Sequence, residues 1–235
     1  MCSERPEHCN KTSLFIGLAP ATRHLHSKSL PFRFLTLAIN AILKPLEDAG
    51  IYEILTKGYP IQRLLNFLCK NNFMAGLICG PLDAILDSPN PGSITPNTLR
   101  IVYEHTPAGI STQLAARYGQ AMTEVDFLKF DYGPVRNTEL YGSPTPPAYN
   151  LSAVTVPVVV IQGLNDGIVD MRDSLWAAKQ MPNLKEYHVV KDPLWGHFDN
   201  IRSQFIPEFT FPTVKRYLKQ YSTVRVASQP LISRF

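Results

Sequence analysis

Hydrophobic positions along this chain fall into two patterns. At both ends they form short, dense runs. Leu14 to Ala19 is an apolar run closed by Pro20, and it predicts a buried strand. The polar segment Ser3 to His8 before it reads as the tail of a helix feeding that strand. Val158 to Ile161 is continuous and β-branched, the mark of a strand buried on both faces. Glu186 to Val190 predicts a further strand. Between these two, Ser174 to Met181 predicts a helix offering Leu175 and Trp176 to a core, ended by Pro182-Asn183. Pro212 to Tyr221 predicts a last short helix with proline in its first turn, and residues from about 222 read as a frayed tail.

From about 24 to 150 the pattern changes. Apolar patches at helical spacing, such as Phe32-Phe34-Leu35-Leu37 and Ile61-Leu64-Leu65-Leu68, alternate with Pro45, Pro60, Pro81, Pro89, Pro91 and Pro96. This predicts an irregular helical region without strands, in which proline interrupts the helices. The proline-rich loop Tyr141 to Tyr149 closes it. Strand, helix and strand within about 35 residues make a βαβ unit, with parallel strands and a right-handed crossover. The run near Phe15 supplies a third strand of the same sheet. The predicted class is therefore α/β: a mainly parallel sheet carrying a large helical insertion.

Composition adds limits. The chain has 235 residues, 45% hydrophobic and 18% charged, which is ordinary for a globular protein and enough for a core without covalent staples. Proline accounts for 20 of the 235 residues, against a usual ~5%, which again favours loops and short helices. A net charge of +4 from scattered basic residues gives no footprint for nucleic acid. The longest apolar stretch, Phe34 to Leu43, is too short to span a bilayer, and MCSERPEHCNKTS is not a signal peptide. Cys2, Cys9, Cys69 and Cys79 permit three disulfide pairings, and their spacing fits no zinc site. Asn10 and Asn150 begin glycosylation sequons, a pattern that also recurs by chance.

In parallel sheets, reactive residues sit on loops at the carboxyl ends of strands. Asp166, three residues after the strand ending at Gly163, has that address, and so has His197, after the strand ending at Val190. Acid then histidine on successive strand ends is the tail of the hydrolase order Ser, Asp, His. The carboxylate would fix the imidazole tautomer, and the imidazole would serve as a general base. Each residue alone has a plainer reading, as a turn former or a loop side chain. Asp170 and Asp173 are rivals for the acid but are expected to cap the following helix, and Asp199 is expected to orient the histidine loop. No G-x-S-x-G occurs. Ser93, Ser111 and Ser143 follow no strand, Cys2 and Cys9 precede the first strand, and neither a phosphate loop nor HExxH is present.

Taken together, several stretches resemble the acid lipases, the gastric and lysosomal lipase family. They are Ser3-Glu-Arg-Pro-Glu7, Leu18-Ala-Pro20, Leu77-Ile-Cys-Gly80, His105-Thr-Pro-Ala-Gly-Ile-Ser111, Gln120-Ala121 and Phe130-Asp-Tyr-Gly133. Further along come Pro146-Pro-Ala-Tyr-Asn-Leu151, Val156-Pro157, Gly163-Leu-Asn-Asp166, Pro182-Asn-Leu184 and His197-Phe-Asp199, so the resemblance covers about residues 1 to 221. It implies part of an α/β-hydrolase fold: the end of a nucleophile-bearing helix and a core strand over 1–23, a helical cap and lid over 24–150, the C-terminal core over 151–221, and a tail over 222–235. Asp166 is then the triad acid and His197 the triad base. The implied function is a lipase cleaving carboxylic esters of neutral lipids, triacylglycerol or cholesteryl ester, with the cap's apolar faces meeting lipid. No metal or organic cofactor, nucleic acid or transmembrane segment is implied, and the location suggested is secreted or lysosomal.

Two departures qualify the resemblance. Members carry G-H-S-Q-G just before the helix that ends in the SERPE segment, and this chain opens inside that helix. The expectation is a chain without its nucleophile, inactive alone, with an exposed edge strand near Leu14 to Leu18. The alternative is a truncated, non-catalytic module that binds lipid or a lipase. The acid loop also reads GLND where members commonly read GGxD, so Leu164 replaces a glycine. Cys69 and Cys79 are close enough for a cap disulfide, with free buried thiols the alternative.

Overall fold

The structure is a computed structural model and describes residues 2–222. Its strands in chain order are β1 (Phe15–Leu18), β2 (Glu53–Ile54), β3 (Ile110–Ser111), β4 (Val158–Gln162) and β5 (Leu184–Val189). The tail expected from about residue 222 lies, beyond Ser222, outside the described residues.

β4 is the centre of the molecule. It pairs in parallel with β1 on one side and β5 on the other, giving the order β1-β4-β5. Its β-branched side chains are all buried and divide by the pleat. Val158 and Val160 pack with Ala177, Ala178 and Met181 of the helix Met171–Gln180 and its end. Val159 and Ile161 pack with Val190, Trp195 and Tyr217, the last from the helix Phe211–Tyr221. Full burial of each such aliphatic side chain is worth roughly 1.5–3 kcal/mol, so the sheet is held mainly by this strand. The βαβ unit stands as predicted, with shifted ends. Its helix begins three residues earlier than expected, because Asp170 is the N-cap and accepts from the Arg172 amide.

β1 is the exposed edge strand that the resemblance implies, not the strand buried on both faces that its apolar run alone suggests. Phe15 is 41% and Leu18 38% exposed, because one side of the strand's backbone has no partner strand among the described residues. The segment before it is a short 3-10 helix, Pro6–Lys11, tied by a Cys2–Cys9 disulfide.

Between β1 and β4 the chain is helical and its prolines divide: Pro60 and Pro96 begin helices, whereas Pro45 follows the break at Ile42, Pro81 follows the π-helical turn Ala75–Cys79 within one helical run, and Pro89 and Pro91 lie between helices. Pro31, Pro60, Pro96 and Pro134 stand in first turns, where the missing N–H costs nothing. Ser29, Thr95 and Ser111 cap the helices Leu30–Ala41, Pro96–His105 and Thr112–Ala121 through their side-chain oxygens. The region also contains strands, against expectation: β2 and β3 form a two-residue antiparallel ribbon. Cys69 and Cys79 are joined as a disulfide within a cluster that includes Ala75, Leu99 and Tyr103, so the thiol alternative is set aside.

Candidate active site

The acid and histidine loops leave β4 and β5 side by side. Gly163 starts the first, and a Cβ there would lie 2.0 Å from the Trp195 carbonyl oxygen of the second. Only glycine permits that approach. The loops are then tied by the Asn165 amide, which donates to the same oxygen at 3.2 Å. Leu164 points outward and is exposed, so replacing a glycine there costs no packing.

Asp166 is buried beneath this junction. Its Oδ1 accepts from the Ile168 and Val169 amides at 3.0 and 2.7 Å. Its Oδ2 accepts from Gln162 Nε2 at 3.3 Å and faces His197 Nδ1 at 3.0 Å. A carboxylate has only acceptors to offer, so Nδ1 carries the proton and donates, which leaves Nε2 with a free lone pair. The His197 side chain is 29% exposed. Burial pulls its pKa down, but the hydrogen bond and charge of Asp166, aided by the Asp87 carboxylate, outweigh burial and hold it above the ordinary histidine value. Among the described residues, no hydroxyl is hydrogen-bonded to Nε2.

The histidine loop is shaped by its neighbours. Trp195 is buried and its indole N–H donates to Asn200 Oδ1 at 3.1 Å. Asp199 Oδ2 accepts from the Gly196 amide at 2.8 Å and from Asn90 Nδ2 at 2.9 Å. Its Oδ1 accepts from Ser93 Oγ at 2.6 Å.

The other candidates have structural employment. Ser93 bonds Asp199 and Ser203; Ser111, against expectation, ends β3, but its hydroxyl caps the helix Thr112–Ala121; and Ser143 accepts from the Thr145 amide. Asp170 is the expected cap; burial opposes its ionisation, but Arg172 and Lys28 hold its carboxyl well below the usual range. Asp173 is not a cap. It turns inward and accepts from Arg23 Nε at 2.9 Å, and from the His26 amide and Nδ1 at 2.8 and 2.7 Å. Asn10 and Asn150 are exposed, and Asn150 Oδ1 accepts from the Ser152 amide and hydroxyl.

Two residues of this neighbourhood carry no mark in the sequence. His24 is buried, with Nδ1 3.2 Å from the Ile168 carbonyl oxygen, and burial lowers its pKa. Asp87 contacts both loops from the helical insertion. Its setting, Asp87-Ser-Pro-Asn-Pro-Gly92, reads only as a turn. Beside it lies a mainly apolar cavity of about 460 Å³, lined by Gly80, Ala84, Ile94, Leu99 and Phe198 among others.

No family model matches the sequence. Among curated proteins, gastric triacylglycerol lipase from Bos taurus is 30% identical over 211 residues, 88% of this chain and 51% of the relative. Lipase 3 from Drosophila melanogaster is 25% identical over 221 residues, 94% of this chain and 56% of the relative. The chain is similar to gastric and other acid lipases over 88–94% of its length. It spans about half the length of the curated lipases it matches. The fold class is α/β as expected, a three-stranded parallel sheet with flanking helices. Among solved structures, an acetylester hydrolase from Corynebacterium glutamicum aligns over 94% of this chain and 57% of its own, at 11% identity and a TM-score of 0.40.

Proposed function

We propose that this chain supplies the acid and the base of a Ser-His-Asp lipase that hydrolyses neutral-lipid carboxylic esters, triacylglycerol or cholesteryl ester. The observation that carries the proposal is the Asp166–His197 pair: a buried carboxylate 3.0 Å from Nδ1, with Nε2 left free to accept. In such an enzyme Nε2 takes the proton of a serine hydroxyl as its oxygen attacks the ester carbonyl. It then returns that proton to the departing alcohol. Asp166 keeps the proton on Nδ1 and stabilises the imidazolium between these steps. The names of the relatives support the substrate class.

The residues from 24 to 150 act as cap and lid. Phe34 and Phe73, 78% and 76% exposed, with Leu77 and Ile85 also exposed, supply apolar side chains for a lipid surface. The placement is secreted or lysosomal, supported by cysteines that are all paired and by exposed Asn10 and Asn150 as glycan acceptors.

Ser111 ends β3 and opens the helix Thr112–Ala121, but its hydroxyl is that helix's cap, and among the described residues no hydroxyl is hydrogen-bonded to His197 Nε2, so the 235 residues by themselves are expected to be inactive as a triad hydrolase. The test is ester turnover by the purified chain and by any longer native form recognised by an antibody to the 166–197 region. The expected result is none from the first and turnover from the second, abolished by His197→Ala. A native species of 26.4 kDa that binds lipid without turnover would instead establish the non-catalytic reading.

A further inference from the structure

One side chain of the helical insertion touches both catalytic loops at once. Asp87 follows the helix Gly80–Leu86, and its amide is anchored to the Asp83 carbonyl at 2.9 Å. The residue is 7% exposed. Its Oδ1 accepts from the Gly167 amide at 3.0 Å, and its Oδ2 accepts from the Phe198 amide at 2.8 Å. Gly167 is the residue after Asp166, and Phe198 is the residue after His197. A Cβ on Gly167 would lie 2.0 Å from the Asp87 carbonyl oxygen, so the backbones are in direct contact there.

We propose that Asp87 is a positioning residue, whose carboxylate ties the residue after the acid to the residue after the base and so holds the Asp166–His197 pair at its spacing. The proposal rests on the reading of Asp166 and His197 as acid and base. Two amides on one ionised carboxylate make a strong, directional clamp. A neutral amide side chain offers only one good acceptor to the same two donors. The clamp also acts on His197 through space, since the Asp87 charge is one of the influences that raise the imidazole pKa.

The ionised form is maintained against burial. Burial, with the Asp166 charge, pushes the Asp87 carboxyl up to about 6, although the Phe198 and Gly167 amides and His197 favour its charge. The charged groups around it are Asp166 on one loop, His197 and Asp199 on the other, and Asp83 on its own helix. Asp83 is paired with Arg202 at 2.7 Å, and Asp199 is filled by Gly196, Asn90 and Ser93.

The test is a nuclear magnetic resonance pH titration of the full 235-residue chain. It follows the Gly167 and Phe198 amide protons and the His197 imidazole. The expected wild-type result is a step shared by both amides with a midpoint near 6. That step persists in His197→Gln, which removes the neighbouring titration, and vanishes in Asp87→Asn, where the His197 pKa also falls. Absence of a shared step in His197→Gln would overturn the proposal, and this arm decides even if Asp87→Asn does not fold. So would an unmoved His197 pKa in a folded Asp87→Asn. Asp166→Asn separates the two readings: it must lower the His197 pKa, and if it does not, the acid–base assignment fails whatever Asp87 does.

Discussion

The Asp166 carboxylate accepts four hydrogen bonds, and of its donors only His197 titrates near neutral pH. Backbone amides and the Gln162 side chain therefore fix the carboxylate, while the imidazole is the partner free to change state. Asp166→Asn should keep the loop but lose the charge that selects the Nδ1–H tautomer. In an active, longer form of this chain we expect kcat to fall by roughly 10⁴-fold with little change in Tm, measured on a soluble ester. His24 gives a test of opposite sign. Burial lowers its pKa, so the folded state favours neutral imidazole. Its contribution to stability is present above about pH 6.5 and is lost as pH falls through that value. Urea unfolding of wild type and His24→Gln at pH 5 and 7.5 should show the wild type losing more stability on acidification. Equal losses would mean that His24 is not held neutral.

At the scale of elements, β4 and β1 should respond to substitution very differently. Ile161→Ala empties a site closed on both faces of the sheet and is expected to cost about 2–5 kcal/mol. Phe15→Thr, on the half-exposed edge strand, should cost about 0.5 kcal/mol or less by the same urea measurement. The same contrast explains what was legible in the sequence. β4 was visible because burial on two faces demands an unbroken β-branched run. β1 lies in a similarly apolar run with one β-branched residue, Ile16, and whether a strand has one neighbour or two is set by chain far away in sequence. Pro60 and Pro96 begin helices where the pattern predicts interruptions, because a count does not tell a helix start from a helix break; position relative to a cap such as Thr95 does. Asp166 and His197 were legible because strand ends give them an address. Asp87 was not, because its partners lie 80 and 111 residues away and its local sequence is that of any turn.

At the scale of the whole molecule, the insertion carries two kinds of surface. Its inner side is polar where it meets the loops, through Asp87, Ser88 and Asn90. Its outer side leaves Leu30, Phe34, Phe67 and Phe73 largely in water, although nothing in a soluble fold requires bulky side chains to be there. On the proposed reading, contact with a lipid surface would give those side chains an apolar environment. A net charge of +4 also attracts the chain to anionic interfaces, so the two causes must be separated. Neutral phosphatidylcholine-coated triacylglycerol droplets at high salt remove the electrostatic part, because screening is nearly complete within a few ångströms at molar salt. Under those conditions binding should persist, and the double substitution Phe34→Ser, Phe73→Ser should weaken it. Full burial of a phenylalanine is worth roughly 1.5–3 kcal/mol, so partial insertion of two still predicts about tenfold or more in affinity. The His197 titration should be unchanged in the same variant, since neither phenylalanine is bonded to the loops. Binding that disappears with salt in the wild type, or that survives the double substitution undiminished, would assign the interface to charge and leave the exposed phenylalanines without a role at lipid.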